Sequence, residues 1–303
     1  MDMTSETVGT LLLWSQAQLR DAGVVCAHGT ASYRDEAAAI IYHALALDHG
    51  DPQNYRRPVA ACERQRCEGL IRRRIAERIP APYLLGEAWF AGLPFHVDSR
   101  VLVPRSPFAE LITARFEPWL AQVARPRILE IGTGSGCIAV ACALAFPDGE
   151  VVATDISPDA LVVAQGNVAR HGVGKRLRLL QADLFAGVAG RFHLIVSNPP
   201  YVPDAELLGM APEFAWEPAG ALAGGPDGLD LVRRILLGAA AHLEPTGLLA
   251  LEVGAGMAVL EQAFPCVPFI WPEFASGGDG IALVAASDLP GENTQSGPWA
   301  RSN

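Results

Sequence analysis

Ser197-Asn198-Pro199-Pro200-Tyr201 follows directly on an apolar run at 192–196, Phe-His-Leu-Ile-Val. Two successive prolines end a strand, because proline fixes φ and has no N–H for the ladder. So stiff an exit is either a turn alone or a clamp that presents one amide and its neighbouring carbonyls to a substrate. Upstream, Glu130-Ile131-Gly132-Thr133-Gly134-Ser135-Gly136 follows a strand-like run and opens a helical one. Glycines let a ligand come close to the backbone. The spacing is GxGxG, which is not the GxGxxG of dinucleotide folds, and no Lys-Ser/Thr pair follows to grip a phosphate. Taken alone, the loop fits an ordinary tight turn equally well.

The acids that follow raise its meaning. Asp155 ends the next strand about 20 residues on, where a carboxylate can accept both hydroxyls of a ribose. Asp183, in Gln181-Ala182-Asp183-Leu184, ends the third strand, where a carboxylate can hold an adenine amino group. Asn198 ends the fourth. Ligands of open α/β sheets bind outside the carboxyl ends of the strands, and successive candidates fall there. An adenosine-type ligand without phosphates fits best, and S-adenosylmethionine is the expected cofactor.

The elements that must position these groups read as follows. Up to about residue 80 the chain is helical: Leu12, Leu13, Gln16 and Leu19 recur at helical spacing, as do Ala37, Ile40, Ile41, Ala44 and Leu45. His49-Gly50-Asp51-Pro52 is a break. A third helix is predicted over 63–79, and its arginines (Arg64, Arg66, Arg72, Arg73, Arg74, Arg78) are read as a solvated face. Alternating residues around Gly92-Leu93-Pro94 predict a hairpin. From 125 to 287 strands and helices alternate: strands at 127–131, 150–156, 176–183, 192–198 and 247–254, a helix N-capped by Ser157 with Pro158 at its first position, and a helix over 229–243. The runs at 267–271 and 280–287 are expected to close the sheet as an antiparallel pair. Such alternation predicts an α/β fold, a mostly parallel sheet covered on both faces.

At this point the residues carry a resemblance. Asn198-Pro199-Pro200-Tyr201 after a fourth strand resembles the signature of class I methyltransferases that modify a planar nitrogen. Such a nitrogen is a poor nucleophile because its lone pair is delocalised. The Asn198 side-chain oxygen and the Pro199 carbonyl can each accept one N–H of an NH₂ group and so aim the lone pair at the methyl. This clamp does not separate a glutamine amide from an adenine amine. The segments at 80–100, 102–112 and 217–236 resemble the protein glutamine methyltransferases of the HemK/PrmC type. Arg105-Ser106-Pro107 resembles the PrmB-type branch, which methylates a glutamine of the third large-subunit ribosomal protein, where release-factor enzymes carry Arg-Pro-Asp-Thr-Glu. The resemblance spans roughly residues 8–287.

The resemblance implies a class I (Rossmann-like) methyltransferase with a seven-stranded, mostly parallel sheet. It implies an N-terminal helical substrate-recognition domain at 1–81, a hairpin linker at 82–104, a catalytic domain at 105–290 and a flexible tail at 291–303. Implied cofactor contacts are Glu130, Gly132, Thr133, Gly134, Gly136, Asp155, Ile156, Asp183, Leu184 and Asn198. The implied substrate clamp is Asn198, Pro199, Pro200 and Tyr201, with Asn198, Pro199 and Tyr201 as catalytic groups and Tyr201 flanking the planar group. Two positions depart from the family pattern: Glu130 stands where Asp is common, and Leu184 where release-factor enzymes often have an aromatic.

Composition narrows the partners. The chain has 303 residues, half of them apolar, and a formal net charge of −10, which disfavours stable nucleic-acid binding and suits a basic ribosomal protein. The six cysteines form no CxxC pair, so reduced thiols and no metal are expected. No signal peptide or membrane-length apolar run is evident, and a cytoplasmic protein is expected. A release factor's GGQ glutamine, an adenine in nucleic acid and a non-catalytic assembly scaffold are the rival readings. The first is opposed by Arg105-Ser106-Pro107, the second by the lack of a basic groove, and the third by the intact clamp.

Overall fold

The computed structural model describes residues 6–48, 50–275 and 277–290. His49 of the expected break and the expected tail at 291–303 lie outside the described residues. Three helices come first: α1 (Val8–Asp21), α2 (Tyr33–Leu45) and α3 (Ala61–Glu77). Thr7 caps α1 through the Thr10 N–H, and Ser32 caps α2 through the Asp35 N–H, each satisfying a donor that has no partner inside the helix. The buried face of α1 is Val8, Leu11, Ser15 and Leu19, packed on Ile40, Ile41, Cys67 and Ile71. Leu13, counted on the apolar face in the sequence, is 60% exposed.

After α4 (Ala81–Leu85) comes the predicted hairpin, β1 (Glu87–Phe90) and β2 (Leu93–His96). Its two-residue turn, Ala91-Gly92, has positive φ at both positions (50° and 74°), the twist that matches paired strands. The next stretch lays Val97, Val101 and Val103 against Ala160 and Val163.

The sheet region runs α5 (Phe108–Thr113), β3 (Arg127–Ile131), α6 (Cys137–Ala145), β4 (Glu150–Asp155), α7 (Pro158–Arg170), β5 (Leu177–Gln181), β6 (Phe192–Ser197), α8 (Asp204–Leu207), α9 (Asp230–His242), β7 (Leu243–Glu252), α10 (Met257–Ala263) and β8 (Ile281–Ala285). The strand order is β5-β4-β3-β6-β7-β8, parallel except for the β7–β8 pair. Alternate residues serve opposite faces: Ile128, Leu194, Val196 and Ala250 pack on α5 and α6, while Leu129, Ile195, Leu249 and Leu251 pack on α9 and α10.

The expected seventh strand is a correction. Among the described residues the sheet has six strands, and the run at 267–271 contributes one bridge, in which Ile270 and Leu283 exchange both backbone hydrogen bonds (3.0 and 2.9 Å). Residues two to either side of Ile270 would donate the next ladder bonds, and both are proline, Pro268 and Pro272, with no N–H to give. Among the described residues no helix is long and apolar enough to cross a membrane.

Candidate active site

Strand order reverses at β3, whose successors lie on one side (β4, β5) and then the other (β6, β7), so a crevice opens beyond its carboxyl end. The strand ends are tied together there. Gly132 and Thr133 N–H both donate to the Thr154 carbonyl (2.9 Å each), and the Ser197 hydroxyl donates to the Ile131 carbonyl (2.8 Å). The crevice is a cavity of about 480 Å³. Its wall brings together Glu130, Gly132, Thr133, Gly134, Asp155, Ile156, Asp183, Leu184, Asn198, Pro199 and Pro200. Most of the residues singled out in the sequence therefore meet in one place.

Their local settings differ. Glu130 is 1% exposed and accepts the Thr133 hydroxyl; burial pushes its carboxyl up to about 8, against the opposing pull of that bond. Asp155 Oδ2 accepts the Gly134 N–H (2.8 Å) and Oδ1 the Ser157 N–H (2.9 Å). Each oxygen retains a lone pair for a further hydroxyl. Asn198 Oδ1 is buried and has no hydrogen-bond partner among the described residues. An acceptor left unpaired in this way is costly unless a ligand satisfies it.

Three of the expected residues sit otherwise than expected. Gly136 is not on the cavity wall: at φ 81° it packs on α7, where a Cβ would lie 3.2 Å from Ala164 Cβ. Tyr201 is not on the wall either. Its hydroxyl donates to Glu252 Oε1 (3.1 Å), and Gly254 packs against its ring. Asp183 is on the wall but shares Oδ2 with Arg234 (2.8 Å), an exposed ion pair that competes with an amino-group ligand.

Other residues build the site through long-range contacts that no local pattern announces. Arg105 donates from both terminal nitrogens to Glu217 (2.7 Å each), and Glu217 also accepts the Val103 N–H (3.1 Å). Burial acts to raise the Glu217 pKa, but the neighbouring His28 and the hydrogen bonds from Arg105 outweigh it and bring the carboxyl down to about 2. His28, 2% exposed, holds Nε2 at 3.5 Å from Glu217 and packs its ring on Phe214. Asn167, fully buried in α7, donates to the Ser135 and His96 carbonyls and accepts the His96 N–H, tying the glycine loop to the hairpin.

The arginine-rich helix α3 is also partly corrected. Arg64, Arg72 and Arg73 make exposed pairs along the helix, but Arg74 is fully buried and bonds Glu36, Glu213 and the Val25 carbonyl. Glu213 belongs to the loop that leaves the Asn198 turn, and from the same loop Trp216 donates to the Glu77 carbonyl (3.2 Å). The helical segment is thereby docked on that loop.

Sheet order, glycine loop and Asn-Pro-Pro-Tyr turn together define a methyltransferase, and residues 114–225 match the family model "Methyltransferase small domain". Whole-chain relatives narrow the class. Proteins named ribosomal protein uL3 glutamine methyltransferase are 44% identical in Bordetella pertussis (94% of this chain, 96% of the relative) and 39% in Francisella tularensis subsp. tularensis (93% and 91%). The chain belongs to the ribosomal protein uL3 glutamine methyltransferase family. Among solved structures, a methyltransferase from Pyrococcus furiosus is 23% identical, covering 64% of this chain and 88% of that one with a TM-score of 0.47.

Proposed function

We propose that this chain transfers a methyl group from S-adenosylmethionine to the side-chain amide nitrogen of a glutamine in ribosomal protein uL3. The observation that carries the chemistry is the buried, unpartnered Asn198 Oδ1 on the cavity wall. The names of the whole-chain relatives support the substrate.

The residues present fit the cofactor. The loop at 132–134 offers open backbone, Asp155 retains acceptor capacity for ribose hydroxyls, and Ile156, Asp183 and Leu184 line the side where an adenine would lie. Bound there, the cofactor supplies an electrophilic methyl on a positively charged sulfur. Asn198 Oδ1 and the Pro199 carbonyl accept the two N–H groups of the glutamine amide, so its lone pair points into the cavity. The two acceptors also stabilise the positive charge that grows on nitrogen, the mirror image of an oxyanion hole. The stiff Pro199-Pro200 pair keeps the acceptors in place. No general base is required, because the methylated nitrogen, once positive, loses its proton to water. The helices α1 to α3, docked through Arg74 and Trp216, are assigned to recognition of the protein substrate. The net charge of −10 suits a basic ribosomal protein.

The test offers radiolabelled S-adenosylmethionine with purified uL3, release factor and RNA separately, followed by mass spectrometry. Label on a uL3 glutamine alone is expected. Label on the release factor would overturn the substrate, and label on RNA alone would overturn the amide assignment.

A further inference from the structure

Glu252 ends β7 and is 3% exposed, and each of its oxygens is taken by a hydroxyl from a different part of the site. Oε1 accepts from Tyr201 (3.1 Å), the last residue of the stiff turn; Oε2 accepts from Ser106 (2.5 Å), next to Arg105 on the cavity wall. Ser106 Oγ itself accepts the Phe108 N–H (3.1 Å), so its proton is committed to Glu252. The tyrosine ring has little freedom, since a Cβ on Gly254 would lie 2.7 Å from its Cε2. We propose that Glu252 is a positioning residue for methyl transfer. Through Tyr201 and Ser106 it holds the Asn198–Pro200 turn in register with the Arg105–Ser106 wall. The inference rests on the proposed reaction but concerns a residue that does not line the cavity.

Donor count gives the mechanism. An ionised carboxylate accepts both hydroxyls at once, with all four groups of the chain satisfied. Once the carboxyl is protonated, one of its oxygens carries a proton and donates, so one of the two hydroxyls must turn its own proton away and accept in its place. The Tyr201 bond, the longer of the two, is the one that weakens, and the turn loses part of its support. Burial raises the Glu252 carboxyl to about 7, against the hydrogen bonds from Ser106 and Tyr201 and the charge of Arg105, so this change falls near neutrality. Arg105 and Glu217 are the charged groups that also act on the Tyr201 hydroxyl, whose own pKa burial drives far up, so it stays a donor throughout.

The experiment compares wild type, Glu252→Gln, Ser106→Ala and Tyr201→Phe. Methylation of uL3 is followed from about pH 5.5 to about 9, cofactor binding by calorimetry, and the tyrosines by ¹⁹F spectra of fluorotyrosine-labelled protein. Wild-type kcat is expected to rise with a midpoint near 7. Glu252→Gln is expected to lower kcat roughly tenfold and flatten the profile, with cofactor Kd held within about twofold. The resonance missing from Tyr201→Phe should titrate with the same midpoint in wild type and stay fixed in Glu252→Gln. Wild-type kcat and profile in Glu252→Gln, or a Tyr201 resonance indifferent to pH, overturns the inference. The spectra need no methyl acceptor, so they judge Glu252 even where uL3 fails as substrate, which would overturn the proposed reaction instead.

Discussion

Arg105 grips Glu217 through two parallel hydrogen bonds of 2.7 Å, and the Glu217 side chain has no solvent exposure. The pair joins the segment that follows the hairpin to the loop that leaves the Asn198 turn. Removing one partner of a buried, bidentate pair leaves the other charge stranded, which costs about 3–5 kcal/mol. Glu217→Ala is therefore expected to lower the urea midpoint strongly, and Arg105→Lys, which keeps charge but loses the fork, by less. The depressed carboxyl also sets a pH window. Its stabilisation is present above about 4.5 and is lost as pH falls toward 2, so acid unfolding of wild type should begin in that range. Glu217→Gln should show a shallower dependence there; an identical acid limb would remove Glu217 from the account.

Asn198→Ala deletes the unpartnered acceptor and leaves the turn's prolines in place. Turnover is expected to fall by at least about 100-fold, the scale set by losing one well-placed acceptor in a preorganised site. Cofactor affinity, carried mainly by the loop at 132–134 and by Asp155, should change by only a few fold. Single-turnover rates and calorimetry separate the two. A variant that turns over normally would mean that the amide is held elsewhere.

Gly228→Ala tests the backing of the turn from the other side. Gly228 has φ 80°, and a Cβ there would lie 2.4 Å from the Tyr201 carbonyl oxygen. The same segment pairs with the turn's exit, Gly224 N–H donating to the Val202 carbonyl at 2.8 Å. Both the left-handed backbone and the clash act on Tyr201, so kcat should drop sharply, with stability lower by at least about 1 kcal/mol. Circular dichroism melting and a turnover assay on the same preparation give both numbers. Full activity would show that the turn tolerates movement at its exit.

What could be read from the chain before its structure divides along contact distance. The strand, glycine loop and helix signals around Gly132, Asp155 and Asn198 are local, so their placement at successive strand ends was legible. Arg74 looks solvated in the sequence because its partners Glu36 and Glu213 lie 38 and 139 positions away, and no helical pattern announces them. The resemblance implies that Tyr201 flanks the substrate, but its hydroxyl is bonded to Glu252, 51 positions on. The missing seventh strand is a different case: Pro268 and Pro272, two residues to either side of Ile270, already forbid further ladder bonds, and hydrophobicity masked that signal.

Glu130 provides the last test, since its carboxyl is buried beneath the glycine loop with the Thr133 hydroxyl on one oxygen. Its pKa is raised to about 8 in the folded protein, so the native state holds a proton that the unfolded chain releases near 4.5. The sign follows directly. The contribution is complete below about 4.5 and is lost as pH rises through about 8, because ionisation in this pocket is disfavoured. Glu130→Gln cannot ionise, and its side-chain carbonyl can still accept from Thr133. Relative to wild type, the variant should therefore gain stability as pH rises across that window, by up to a few kcal/mol. Urea unfolding of both proteins at about pH 5 and about pH 8.5 measures the difference. A gap that does not change with pH would show that Glu130 ionises freely, and the loop would then have to accommodate a charge beneath it.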